Sequence, residues 1–229
     1  YQESIDEAHV MIKQLGVEYI DLVLLHTPVK LGAQVLFKYY TGSDKNMKIG
    51  DDPMQVKLRA DTWRGLSEVR KKGLIKNLGV SNFNIKQLKE IQALNLAPIA
   101  ANQMQYHPWV PNWMKEVVSF CHENKIIVTA YFSLGGHNHK TKAMDVETLN
   151  DIAKSHGRRP AQILLRWSLQ KGASIIPGTG NHKHMAENLA TYSFSLSDED
   201  MQRLDNMSSH PISKGFTFPI SEHGHKLDK

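Results

Sequence analysis

The chain has 229 residues, 41% of them apolar and 22% charged, and its 28 basic and 23 acidic side chains give a formal charge of +5. Such a chain can bury a core, which excludes disordered and collagen-like classes, and its scattered basic residues lack the clustering of a nucleic-acid surface. The longest apolar run, near residues 20–25, is far short of the roughly 20 residues that span a bilayer, no secretory signal opens the sequence, and one cysteine, Cys121, cannot form an internal disulfide, so a cytoplasmic protein is expected.

Ser4-Ile5-Asp6-Glu7 has capping-box spacing and predicts a helix with Ile5, Ala8, Ile12 and Leu15 on one face, closed by Gly16. Residues 19–25 read as a buried strand that His26-Thr27-Pro28 stops. Residues 29–58, polar and rich in Gly, Asp and Lys, read as a long loop of the kind that carries function. Trp63, Leu66 and Val69 mark the next helix, ended by Lys71-Lys72-Gly73, and residues 75–80 form a second strand. Asn84 caps a helix carrying Ile85, Leu88, Ile91 and Leu94, before a third strand at 99–104. Asn112 opens a helix bearing Val117, Val118 and Cys121, and residues 126–132 are the fourth strand.

A loop over 135–142 leads to a helix at 146–155. Pro160 fits the first turn of another, in which Ala161, Leu164, Leu165 and Ser168 share a face that Ile163 and Trp167 widen. Residues 174–176 are the fifth strand, and Pro177-Gly178-Thr179-Gly180 turns into a helix from about Asn181. Ser197-Asp198-Glu199-Asp200 opens a last helix, and the chain from Ser208 reads as a tail or loop. Strand and helix alternating in this way mean parallel strands joined by crossovers. An open doubly wound sheet and part of a closed barrel both satisfy the pattern, although 229 residues are few for a complete barrel, typically about 250.

In either architecture a ligand sits beyond the carboxyl ends of the strands. His26, Ser81, Asn82, Gln103, Tyr131 and Thr179 fall there. An imidazole suits a substrate oxygen or a proton, amides and a hydroxyl suit a neutral carboxamide, and a phenol ring suits a planar heterocycle. Gly178-Thr179-Gly180 before a helix start gathers N–H groups, a hydroxyl and the positive end of a dipole, which favours an anion. His137-Asn138-His139 and His223-Gly224-His225 lack cysteine or carboxylate partners, so no metal site is expected. No Gly-x-Ser-x-Gly elbow is present.

Tyr19-Ile20-Asp21-Leu22-Val23-Leu24-Leu25-His26, Gly79-Val80-Ser81-Asn82-Phe83 and Asn102-Gln103-Met104-Gln105-Tyr106-His107-Pro108, in this order and spacing, resemble the aldo-keto reductases over nearly the whole chain. The resemblance implies an α/β fold, the (β/α)₈ TIM barrel, held here as strands four to eight with their helices in one domain over residues 1–229. It implies an oxidoreductase that reduces aldehydes or ketones with NADPH, with NADH left open. His26 matches the catalytic histidine that orients the substrate carbonyl. Ser81, Asn82 and Gln103 match the residues holding the nicotinamide carboxamide, and Tyr131 the ring that stacks on it. Phe132, Ser133, Leu134 and Gly136 match the loop along the pyrophosphate. Gly178, Thr179, His184, Glu187 and Asn188 match the segment on the adenosine phosphate and adenine. Gly178 and His184 stand where the family commonly carries the lysine and arginine that bind the 2′-phosphate, with Thr179 and Lys183 nearby. The family's proton-donating tyrosine and its aspartate and lysine lie on strands with no counterpart here, so the chain is expected to be an amino-terminally truncated fragment, inactive alone. A non-catalytic nicotinamide-binding regulator and a phosphate-binding lyase on the same barrel stand as alternatives.

Overall fold

A computed structural model describes residues 1–30, 52–136 and 144–209. In chain order the elements are α1 (Gln2–Leu15), β1 (Ile20–Leu25), α2 (Pro53–Lys71), β2 (Ile75–Ser81), α3 (Ile85–Gln92), β3 (Ile99–Gln105), α4 (Asn112–Glu123), β4 (Ile127–Tyr131), α5 (Glu147–Ser155), α6 (Pro160–Gln170), β5 (Ala173–Ile175), α7 (His182–Leu189) and α8 (Asp198–Asp205), with short 3₁₀ turns after α7 and α8. Strands β1, β2 and β3 pair in parallel in that order, and β4 pairs in parallel with β5. The described residues pack as two compact units, one built within 1–103 and 119–127, the other within 104–118 and 128–209.

In the first unit β2 is central, with Ile75, Leu78 and Val80 buried, as expected of a parallel strand covered on both faces. Leu78 pairs with Ile99 and Val80 with Asn102, so β3 carries one extra residue opposite Gly79. A Cβ on Gly79 would lie 2.7 Å from Ala101 O and 2.6 Å from a Leu24 methyl, so only glycine fits between β1 and the bulge. Gly65 of α2 plays the same part against α1, since a Cβ there would overlap Ser4 Oγ and Tyr1 O.

Asn84 and Gln87 form a reciprocal capping box at α3, and Gly16 closes α1. Ser4, however, is inside α1: the helix begins at Gln2, and the Ser4 hydroxyl bonds back to Tyr1 O at 2.7 Å. The loop expected over 29–58 also contains structure. Helix α2 starts at Pro53, with Asp52 accepting from Met54 N–H at 2.7 Å and proline at the position that needs no donor. The buried strand expected at 19–25 is instead half-exposed, with Leu22 41% accessible, because among the described residues β1 pairs on one side only, with β2.

In the second unit, β4 and β5 pair in parallel through Val128 and Ala173, Thr129 and Ser174, and Ala130 and Ile175. Trp109, Met114, Leu149, Ile152, Leu164 and Trp167 fill its core. Asp205, at the end of α8, gathers three donors: Trp167 Nε1 at 2.9 Å and Lys171 Nζ at 2.5 Å on its carboxylate, and Lys115 Nζ at 2.6 Å on its backbone oxygen. At the other end of α8, Asp200 accepts from the Ser197 hydroxyl at 2.7 Å and meets His156 Nε2, at the end of α5, at 2.8 Å.

Two consequences are measurable. Gly79→Ala forces a Cβ against the Ala101 backbone and should destabilise the chain by about 1–3 kcal/mol in urea unfolding. Asp200 makes one pH-sensitive contact. Burial pushes its carboxyl up, but bonds from His156 and Ser197 outweigh this and hold it below its ordinary value of 3.8. A lowered native pKa stabilises above the unfolded value, and the effect is lost as pH falls through the native one. The Tm difference between wild type and Asp200→Asn should therefore be largest near neutral pH and shrink once the pH drops below 3.8.

Candidate active site

Parallel pairing brings the carboxyl ends of β1, β2 and β3 to the same side of the first unit, and His26, Ser81, Asn82 and Gln103 stand there. Hydrogen bonds link all four. Gln103 O accepts from Asn82 N–H at 2.9 Å and from Ser81 Oγ at 2.8 Å. Asn82 Nδ2 donates to His26 O at 3.2 Å and to Ser81 Oγ at 3.1 Å. Ser81 and Asn82 are buried, Gln103 is half-buried, and the His26 side chain reaches solvent. Asn82 adopts φ +65°, a left-handed turn that asparagine tolerates better than other side-chain-bearing residues. The groups assembled are neutral donors and acceptors, suited to an amide rather than an ion.

Beside His26 lies a cavity of about 220 Å³ whose wall includes Leu25, Thr27, Pro28, Gln55, Arg59 and Thr62. Gln55 and Arg59 are missing from the sequence reading, which placed residue 55 in a loop. One turn apart on α2, they pin the chain that follows His26. Gln55 Oε1 accepts from Lys30 N–H at 2.8 Å, and its Nε2 donates to Lys30 O at 3.3 Å. Arg59, 3% exposed, donates to Pro28 O at 2.8 Å and pairs with Glu90 at 2.5 Å. Asp52-Pro53, a cap followed by a first-turn proline, was the available signal.

The second unit holds the remaining candidates. Tyr131 ends β4, and its carbonyl accepts from Tyr106 N–H at 3.2 Å. Phe132 follows at φ +51°, its ring edge-on to Tyr131 with centroids 5.0 Å apart. A left-handed aromatic residue is a strained one, held here by the turn Gly135 N–H to Phe132 O at 2.8 Å and by Ser133 Oγ on Ala130 O at 3.2 Å. Leu134 is half-buried and Gly136 completes the loop at φ +78°.

At α7 the structure modifies the expected anion site. Asn181 caps the helix, its Oδ1 accepting from Lys183 N–H at 2.9 Å and His184 N–H at 3.4 Å, while Thr179 Oγ1 accepts from Asn181 N–H at 3.1 Å. Two of the helix's free donors are thus engaged by its own side chain. Gly178 is exposed with open space around it, so no close approach demands glycine there. Glu187 takes Arg159 Nη1 at 3.3 Å on its carboxylate and Gln162 Nε2 at 2.9 Å on its backbone oxygen, and Asn188 is half-buried.

The histidine pairs 137/139 and 223/225 lie outside the described residues, among which no group of three metal-ligating side chains occurs. Burial pushes the Cys121 thiol up to about 12, so it is no nucleophile. The left-handed turn is testable by substitution. Asn82→Gly keeps the backbone and loses the amide, whereas Asn82→Ala loses both, and urea unfolding should show the alanine variant about 1–2 kcal/mol less stable than the glycine one.

Residues 1–209 match the model of the Aldo/keto reductase family. Estradiol 17 beta-dehydrogenase 5 of Mus musculus is 32% identical over 209 residues, covering 87% of this chain and 62% of its own length. Glycerol 2-dehydrogenase (NADP(+)) of Hypocrea jecorina is 34% identical over 206 residues, 86% of this chain and 61% of the relative. The crystal structure of a Bombyx mori aldo-keto reductase in complex with NADP matches with a TM-score of 0.72 at 25% identity, over 92% of this chain and 65% of that one. The chain spans less than two thirds of the length of these curated relatives. With the family model matching residues 1–209, and relatives 32% and 34% identical over most of its length, the chain belongs to the aldo/keto reductase family.

Proposed function

We propose that this chain carries the cofactor-binding and carbonyl-orienting part of an NADPH-dependent reductase of aldehydes and ketones. On this reading its strands are strands four to eight of a (β/α)₈ barrel, residues 1–229 belong to one such domain, and the protein works in the cytoplasm. Among the described residues no helix is long and apolar enough to cross a membrane. The observation that carries the proposal is the neutral set Ser81, Asn82 and Gln103, tied to the backbone of His26 by bonds of 2.8–3.2 Å. The pairing of β1 on one side only among the described residues, with Leu22 exposed, supports further strands beside it.

Amide and hydroxyl groups at that spacing fit a carboxamide, and so the residues present fit a nicotinamide. When bound, NADPH supplies the hydride that reduces the carbonyl carbon. His26, beside the cavity, orients the carbonyl oxygen. Ser81, Asn82 and Gln103 hold the carboxamide, and the Tyr131 ring provides a stacking face. Phe132, Ser133, Leu134 and Gly136 follow the pyrophosphate, while Gly178, Thr179, His184, Glu187 and Asn188 take the adenosine end. The Lys183 and His184 side chains, rather than helix N–H groups, then provide the preference for the 2′-phosphate, because Asn181 already occupies those donors. No tyrosine of this chain is assigned as the proton donor, so residues 1–229 alone bind cofactor without turnover.

The test begins with the intact mass of the native protein, followed by cofactor titration and an NADPH-oxidation assay with aldehydes. The expected result is a longer native product that oxidises NADPH, and a 229-residue chain that binds NADPH more tightly than NADH and is inactive. Gln103→Ala should weaken NADPH about tenfold, and Lys183→Ala should narrow the preference over NADH. Failure of the native protein to bind either cofactor defeats the proposal. Tight binding without turnover in the longest native product would instead support a nicotinamide-sensing regulator.

A further inference from the structure

Asn102 precedes Gln103 on β3 and is wholly buried. Its Nδ2 donates to Phe83 O at 3.0 Å, its Oδ1 accepts from Phe83 N–H at 3.5 Å, and its Nδ2 lies 3.9 Å from Cys121 Sγ. The amide therefore acts toward Phe83 as a neighbouring strand would, engaging both polar groups of one residue. Only a side chain with a donor and an acceptor side by side does this: aspartate cannot donate to Phe83 O, and leucine can do neither.

The residue so held lies in the turn that presents Ser81 and Asn82. Phe83 follows Asn82, whose left-handed conformation needs support from its neighbours, and precedes Asn84, which caps α3. From the other strand Gln103 O holds Ser81 and Asn82 N–H. Successive side chains on a strand point to opposite faces, so Asn102 and Gln103 serve the two sides of the sheet. We infer that Asn102 is a positioning residue for nicotinamide recognition: without touching the cofactor, it fixes the turn that aims Ser81 and Asn82 at the carboxamide. The inference rests on the reading of those residues as the carboxamide site.

The test uses the native protein with Asn102→Leu and Asn102→Asp, titrated with NADPH and with adenosine 2′,5′-bisphosphate, which carries the phosphate end and lacks nicotinamide. Both variants should bind NADPH about tenfold more weakly while binding the bisphosphate as wild type does. Equal losses for the two ligands, or no loss for NADPH, overturn the inference. Should the variants not fold, wild-type NMR decides: the Phe83 amide and Asn102 side-chain amide resonances should shift with NADPH and stay fixed with the bisphosphate, and resonances that move with neither, or equally with both, overturn it. A wild type that binds the bisphosphate but gains nothing from the nicotinamide half defeats the carboxamide reading itself, and the inference with it.

Discussion

The extra residue of β3 opposite Gly79 decides what the ends of the first three strands present. In a regular ladder two steps along β2 match two along β3, but between Leu78 and Val80 the partner advances from Ile99 to Asn102. Side chains alternate with period two, so a one-residue slip exchanges the faces of all that follow. Because the bulge lies before Asn102 and Gln103, it determines that the Asn102 side chain meets Phe83 while the Gln103 carbonyl faces Ser81. Gly79 is the steric condition for this arrangement, since the displaced carbonyl of Ala101 fills the space of its missing side chain. A backbone irregularity thus decides which of two adjacent side-chain amides turns to Phe83.

A different device organises the second unit. Asp205 places a carboxylate between Trp167 and Lys171, and its backbone oxygen on Lys115, so that α8 is tied to α6 and α4 by a single residue. Burial lowers the Lys115 ammonium pKa, with Asp205 opposing that shift. The Tyr106 ring lies 4.8 Å from Trp167 and completes a mixed polar and aromatic patch, and burial raises the Tyr106 phenol well above its ordinary value.

Local chemistry was legible in the sequence wherever a residue acts on its near neighbours. Asn84, Asn112, Pro160, Asn181 and Ser197 all sit at or next to helix starts, as their spacing implies. Ser4 misled because serine and glutamate three residues apart satisfy the capping pattern inside a helix as well as at its start, and there the hydroxyl turned back to Tyr1 O. Asp52-Pro53 went unread because a polar stretch masked it. Position along the strands singles out the residues at their ends, but not Gln55, Arg59 and Asn102. Their partners, Lys30, Pro28 and Phe83, lie 25, 31 and 19 residues away, and only the folded register brings them together.

The cap on α7 alters how that helix meets a ligand. Asn181 Oδ1 already occupies the Lys183 and His184 amides, and Thr179 holds the Asn181 N–H. An anion arriving at this end meets amides that already hold an acceptor, so the backbone offers it less than an uncapped helix start would. The cap thus satisfies the helix start from within and leaves any discrimination between ligands at this end to side chains rather than to the backbone.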